Sequence, residues 1–259
     1  MNLTISLAQM HIQFGQPGQN VENMRHAALE ASRRGSQLLL LPELWTTGYD
    51  LEHARDHARA NRALLPELAR TASDLNLTLG GSLLLEENAR IYNSFIFQPP
   101  AGPATTYAKT HLFRLMREDH FLTAGPTLQI AASPWGKTGL AICYDLRFPE
   151  MFRQYALQDA LLFLISAEWP SARVEHWSTL LRARAIENQC FAAGVNCVGP
   201  SGEETFGGKS AIISPWGRTL AEGSQDEPAL LTAEINLEEA KDARQRIPIL
   251  QDRRPDLYD

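Results

Sequence analysis

The chain has 259 residues, is 44% hydrophobic and 21% charged, and carries a formal net charge of −6 at pH 7. That balance suits a soluble globular protein with a sizeable core, and the acidic excess, with no basic tract or arginine stripe, argues against nucleic acid or an anionic membrane as main partner. Three cysteines, an odd number, point to a reducing compartment; MNLTISLAQM lacks the layout of a signal peptide and the longest apolar run, ALLFLISA (160–167), is too short to span a bilayer, so a cytoplasmic protein is expected.

In chain order, LTISLAQM alternates as a strand does. Asn20 to Arg34 reads as a helix, with Asn20 as its cap, Val21, Met24, Ala28 and Ala31 on one face, and Gly35 as its stop. Leu38 to Leu41 are four consecutive leucines, typical of a strand buried on both faces, and Pro42 ends the run just before Glu43. Residues 62–74 look helical. TLGGSLLLEE and RIYNSFIFQ straddle Asn88 as a hairpin, with Gly80-Gly81 at a bend. Thr105 to Lys109 alternates like a strand ending near His111. In GLAICYDLRFPE (139–150) an apolar run delivers Cys143 to its end, and Pro149 opens the next helix. ALLFLISA is a buried strand, followed by a helix over Arg173–Asn188 with Trp177, Leu180, Leu181 and Ala185 spaced for burial. CFAAGVNCVG is strand-like, and Asn236 with Glu239 suggests a capping box. No linker or low-complexity block interrupts the chain, so one domain over 1–259 is expected. SPWGKTGLA (133–141) and SPWGRTLAE (214–222) echo each other, either as two similar hairpin turns or as marks of two related halves.

A thiol at the mouth of a buried strand beside a tight turn is where a nucleophile would be displayed. Cys190 and Cys197 read instead as buried small hydrophobes. A cysteine attacks as thiolate, so Cys143 needs a base or a cation nearby. Glu43 stands on a ledge where partial desolvation would raise its pKa toward that of a general base, unless it is a solvated loop glutamate. Lys109 either pairs with a carboxylate, polarises a carbonyl oxygen, or lies on a wet face. His111 is a rival base, but papain-type sequence is missing around the cysteines, and it reads better as fixing its loop by hydrogen bonds. No Cys-x-x-Cys occurs, no histidine pair is read with zincin spacing, and no glycine-rich phosphate loop is present, so neither metal nor cofactor is expected. Nucleophile, proton relay and cation are the types that acyl transfer at a thiol requires.

Glu43 in LPELWTTGYD, Lys109 in YAKTHLF and Cys143 in GLAICYDLRFPE resemble the Glu-Lys-Cys triad of the nitrilase superfamily, the carbon-nitrogen hydrolases, in order and in local context. The resemblance runs almost end to end, from LTISLAQMHIQFGQPGQNVENM through LRARAIENQCFAAGVNCVG to KSAIISPWGRTLAE. It implies an α/β fold, a four-layer α-β-β-α sandwich of two mixed six-stranded-type sheets with outer helices. It also implies assembly into homodimers or larger homo-oligomers through outer helices and the C-terminal tail QDRRPDLYD. HLFRLMREDHFLTAG, CYDLRFPEMFR and AEWPSARVEHWSTLLRARAIENQ look most like the bacterial omega-amidase branch. That implies thioester-forming hydrolysis of a small omega-amide of a dicarboxylate. Glu43 would act as base, Lys109 and the backbone N–H of Tyr144 would hold the oxyanion, and Glu118, seven residues before Gly125, would position the lysine and the substrate amide.

Trp169, Arg173 and, beside them, Tyr49 and Glu168 are the pocket candidates, because loops after strand ends read ligands in α/β folds. Arg173 would bind a substrate carboxylate or pair with Glu168; Arg147 reads as structural, with Asp145 or Glu150 as partner. Glu168 departs from the omega-amidase pattern, which has Asn before Trp-Pro, and an acid there would repel a substrate carboxylate unless paired or turned away. Within the superfamily, deaminated-glutathione-type amidase, N-carbamoyl amino acid hydrolase and nitrilase activities are the alternatives; outside it, a catalytically silent binding protein on the same fold.

Overall fold

The structure is a computed structural model in which residues 1–257 are described; Tyr258 and Asp259, the end of the charged tail, lie outside the described residues. The elements are β1 (Asn2–Gln9), α1 (Pro17–Arg33), β2 (Leu38–Leu40), α2 (Ala54–Asp74), β3 (Thr78–Glu87), β4 (Arg90–Gln98), β5 (Thr105–Ala108), α3 (Glu118–Phe121), β6 (Ile130–Ser133), β7 (Gly136–Ile142) and α4 (Pro149–Leu157). There follow β8 (Leu162–Ala167), α5 (Val174–Asn188), β9 (Phe191–Asn196), β10 (Val198–Ser201), β11 (Glu204–Gly207), β12 (Ala211–Ile213), β13 (Thr219–Glu222), β14 (Ala229–Asn236) and α6 (Glu238–Arg246). Two six-stranded sheets run in the orders β14-β1-β2-β3-β4-β5 and β13-β12-β9-β8-β7-β6, and β10-β11 forms a separate ribbon. Each large sheet holds three adjacent parallel strands, β1-β2-β3 in one and β7-β8-β9 in the other, flanked by antiparallel pairs.

The sheets face each other across one apolar core. Leu3, Ile5, Leu7, Leu38, Leu40, Phe95 and Phe97 from the first meet Leu140, Ile142, Leu162 and Leu164 from the second. Because β2 is buried on both faces, its leucines also reach the outer layer: Leu39 packs with Met24, Ala28 and Ala31 of α1 and with Leu68 and Ala72 of α2. On the opposite outside, Trp177, Leu181 and Ala185 of α5 cover β9, and a Cβ added to Gly194 would lie 2.9 Å from both Leu181 and Trp177, so glycine there sets the helix–sheet distance. The layers are therefore α-β-β-α. No described helix is long and apolar enough to cross a membrane.

Several local expectations shift. α1 begins at Pro17, in its favoured first-turn position, and Asn20 is not the cap: it sits inside the helix, buried, its Oδ1 accepting from Gln13 N (2.8 Å) and its Nδ2 donating to Thr46 O (2.9 Å). α2 starts eight residues before the expected 62, with Pro66 inside it; the polar HARDHARAN stretch hid its first two turns. Asn236 lies one residue outside the cap of α6, accepting from Glu238 N (3.1 Å), and Glu239 pairs with Arg218 instead of closing a capping box. The β3–β4 hairpin turns on Asn88 and Ala89, with φ of 49° and 63°, as a two-residue turn matched to strand twist requires. The two SPWG segments are the β6–β7 and β12–β13 hairpins, at opposite edges of the same sheet. Their likeness is that of two turns and does not relate one sheet to the other.

Candidate active site

The chemistry-bearing side chains leave the carboxyl ends of strands, where open α/β sheets expose their loops. Glu43 follows β2, Lys109 follows β5, Cys143 follows β7 and Glu168 follows β8. All four side chains are buried, at 0% exposure for Glu43, Lys109 and Glu168 and 4% for Cys143. Glu118, at the start of α3, joins them from a loop and is equally buried.

Lys109 is the hub. Its Nζ donates to Glu43 Oε1 at 2.7 Å and to Glu118 Oε1 at 2.6 Å. Burial by itself would lower its pKa, but the negative charges of Glu118 and Glu43 outweigh that and hold the ammonium well above the ordinary lysine value. An ammonium has three donors, and two are used here. Glu43 also accepts from Asn93 Nδ2 (2.8 Å) and from the backbone N–H of Glu168 (3.0 Å), so both its oxygens are oriented. Glu118 also accepts from Tyr49 Oη (2.6 Å) and Phe113 N (2.7 Å). Burial raises the Glu118 pKa, against the pull of Lys109, with the Glu43 charge adding to the rise.

Cys143 is set by its backbone. It has φ of 44°, a left-handed conformation uncommon for a side-chain-bearing residue and typical of functional sites. A 3-10 turn over Cys143–Arg147 follows, anchored by Asp145. That buried carboxylate accepts from Ile142 N (2.9 Å), Tyr107 Oη (2.7 Å), His111 N (3.2 Å) and Thr110 Oγ1 (3.3 Å), and contacts His111 Nδ1 (2.7 Å). The turn is thus tied to the Lys109 loop. The thiol donates weakly to Glu168 O at 3.6 Å. Burial, reinforced by the Glu43 charge and opposed by Lys109, holds the Cys143 pKa well above its ordinary value, so the resting group is a neutral thiol and its proton must leave as it attacks. His111 fits its loop-fixing reading, bonded to Asp145 and stacked on Phe148 with ring centres 3.7 Å apart. Gly125 fastens the Glu118 loop: its N–H donates to Lys109 O (2.8 Å), and an added Cβ would lie 2.1 Å from Ala108 O. Gly125→Ala is expected to cost about 1–3 kcal/mol of stability through overpacking together with a loss of activity, read by thermal melting and by ammonia release.

Above Cys143 lies a narrow pocket lined by Phe113, Tyr144, Arg147, Trp169, Pro170 and Arg173. Its free volume is about 10 Å3, room for one water. Both arginines lie against aromatic faces, Arg147 4.7 Å from the Trp169 ring centre and Arg173 5.6 Å from that of Phe113. Among the described residues neither is within ion-pair distance of a carboxylate. This corrects the partners expected for Arg147, which bonds to His176 Nδ1 (3.3 Å) instead of Asp145 or Glu150, and the pairing of Arg173 with Glu168.

Two expected pocket residues lie outside this lining. Tyr49 holds Glu118. Glu168 turns away: both carboxyl oxygens are buried without a hydrogen-bond partner, and burial, then the Glu43 charge, pushes its pKa well above the ordinary value. Burial thus favours the uncharged form of Glu168, which weakens any repulsion of a substrate anion. Asn93 escaped sequence reasoning; the one available signal was an amide in the buried stretch of β4.

The carbon-nitrogen hydrolase family model matches residues 4–245. The chain is 41% identical to the 2-oxoglutaramate amidase of Bacillus subtilis (strain 168) over an alignment covering 100% of both. A CN-hydrolase superfamily protein from Xanthomonas campestris with an arsenic adduct in its active site superposes with a TM-score of 0.92, at 31% identity over 98% of each chain. A mutant amidase from Nesterenkonia sp. AN1, bearing the acetamide moiety of fluoroacetamide covalently on its active-site cysteine, superposes with a TM-score of 0.88, at 29% identity over 99% of this chain and 95% of that one.

Proposed function

Because the chain belongs to the carbon-nitrogen hydrolase family, we propose that it is a cysteine-dependent amidase that hydrolyses the terminal amide of a short dicarboxylate monoamide to acid and ammonia. The observation that carries the substrate class is the pair of guanidiniums, Arg147 and Arg173, without carboxylate partners beside Cys143. An uncharged amide offers the two guanidiniums no counter-charge; a carboxylate a few carbons from the amide does. The relative named a 2-oxoglutaramate amidase supports the same class.

In the proposed cycle Glu43 takes the Cys143 proton as Sγ bonds to the amide carbon and the carbonyl pair moves onto oxygen. The third donor of Lys109 and the Tyr144 N–H hold that oxyanion. Glu43 then passes its proton to nitrogen, the C–N bond breaks and ammonia leaves. Water, giving its proton to Glu43, attacks the thioester; the C–S bond breaks, the acid departs and the sulfur regains its proton. Glu118 and Tyr49 keep the Lys109 ammonium in place throughout.

Ammonia release across omega-amides, carbamoyl amino acids and nitriles tests the class. Preferred turnover of a nitrile or carbamoyl compound would replace this reading with another of the family, and no turnover at all would favour a silent binding protein. Arg173→Met is expected to raise KM for the monoamide about 10- to 100-fold, the worth of a charge-assisted bond at about 1.5–3 kcal/mol, while hydrolysis of an uncharged short amide changes little. Equal losses on both substrates would remove the arginine from carboxylate recognition.

A further inference from the structure

We propose that Asp50, His53 and His57 form a binding site for one late first-row divalent cation of the Zn2+ class, on the outer side of the Tyr49–Glu118 contact. The expectation of no metal passed over HARDH (53–57), whose histidines stand four residues apart without the glutamate of a zincin. Asp50 ends the loop that carries Tyr49, a 3-10 turn spans Leu51–His53, and α2 begins at Ala54. The spacing therefore puts both imidazoles one helical turn apart, over the same carboxylate.

The three groups are already gathered. Asp50 Oδ1 is 2.8 Å from His53 Nδ1, Asp50 Oδ2 is 2.8 Å from His57 Nε2, and all three donor atoms lie within 4.8 Å of one another. Metal–nitrogen and metal–oxygen bonds of about 2.0–2.2 Å require donors roughly this close. Two imidazoles with one carboxylate suit Zn2+, Ni2+ or Cu2+ rather than Mg2+ or Ca2+, which prefer oxygen alone. Among the described residues no lysine or arginine pairs with Asp50, so a cation would replace only the imidazole protons that now join both histidines to it. His57 and Asp50 are only 12% and 13% exposed, which favours a formed site over a loose surface cluster.

On one side the carboxylate packs closely on the backbone of Gly15, with φ of +64°, where a Cβ would lie 3.0 Å from Asp50 Oδ2. On the other side Asp50 and His53 line a cavity of about 540 Å3 that also touches Tyr49, Arg117 and Glu203. Three protein donors beside a cavity leave an open position for water or an anionic ligand. The consequence reaches the amidase centre, because Tyr49, next to Asp50, donates to Glu118 and Glu118 holds Lys109. A bound cation would brace that chain from outside.

The test is calorimetric titration of Zn2+ into the tag-free full chain carrying Cys143→Ala, which removes thiol binding, compared with the same protein carrying His53→Ala or His57→Ala. His53 is 66% exposed, so its variant keeps the fold even if that of His57 does not. One equivalent of Zn2+ is expected to bind, at least tenfold more weakly in His53→Ala. Co2+ is expected to give a visible absorption band that His53→Ala abolishes. Absence of binding, or binding and absorption unchanged in His53→Ala, overturns the proposal.

Discussion

Replacing Cys143 with alanine is expected to lower kcat/KM for amide hydrolysis by at least about 10^4-fold, the scale seen when a covalent nucleophile is removed, while the fold survives. No other thiol can substitute. Cys190 is 0% and Cys197 1% exposed; burial pushes the Cys190 pKa up to about 11 and holds that of Cys197 well above its ordinary value. Stability should change by about 1 kcal/mol or less, because the lost sulfur makes one weak contact, to Glu168 O at 3.6 Å, and alanine accepts the left-handed backbone no worse than cysteine does. Ammonia release and a thermal melt, measured on the same preparation, check both halves. Substantial residual turnover would remove Cys143 from the mechanism; a collapsed melt would show it to be a structural residue.

Lys109→Met is expected to abolish turnover and also to destabilise the protein by about 3–5 kcal/mol, because removing one partner leaves buried charge uncompensated. Glu43 and Glu118 would then face each other at 0% exposure without a cation. They relieve this by binding a proton, so the folded-state carboxyl pKa rises above its unfolded value near 4.3. The folded state then binds more protons than the unfolded one, and stability falls as pH rises through the raised folded pKa. The variant should melt higher at pH 5 than at pH 8. In the wild type the raised Lys109 pKa contributes stability that is fully present below the unfolded lysine value of about 10.4 and is lost as pH rises through the folded one. Equal melts for the variant at the two pH values would mean that water has filled the lysine's place and that the carboxylates are not confined together.

Much of the site was legible because its residues obey a local rule. Glu43, Lys109 and Cys143 each end an apolar strand, and a polar residue at such a point is conspicuous. Glu118 was legible through family resemblance alone, since REDHF has no periodicity that marks it. Asn93 was not legible: an amide in RIYNSFIFQ gains meaning only when β4 pairs with β3, and β3 with the β2 strand that ends before Glu43. The partner of Arg147 was misread for a related reason. Asp145, two residues away in sequence, looked like its partner, but the 3-10 turn sends the carboxylate to Ile142, Tyr107 and His111 and the guanidinium to the Trp169 ring.

By itself the order of residues determined which segments alternate, which are buried on both faces and where each strand stops, since these follow from side-chain spacing within a few residues. The tertiary structure alone decided what stands beside what. The contact of Lys109 with Glu43 spans 66 residues and that of Glu168 N with Glu43 spans 125. It also decided that the Glu168 carboxyl is buried without a partner, with its uncharged form favoured, while Arg173 lacks a carboxylate partner, because charge state depends on burial and on partners from distant strands, and neither is a property of the local sequence.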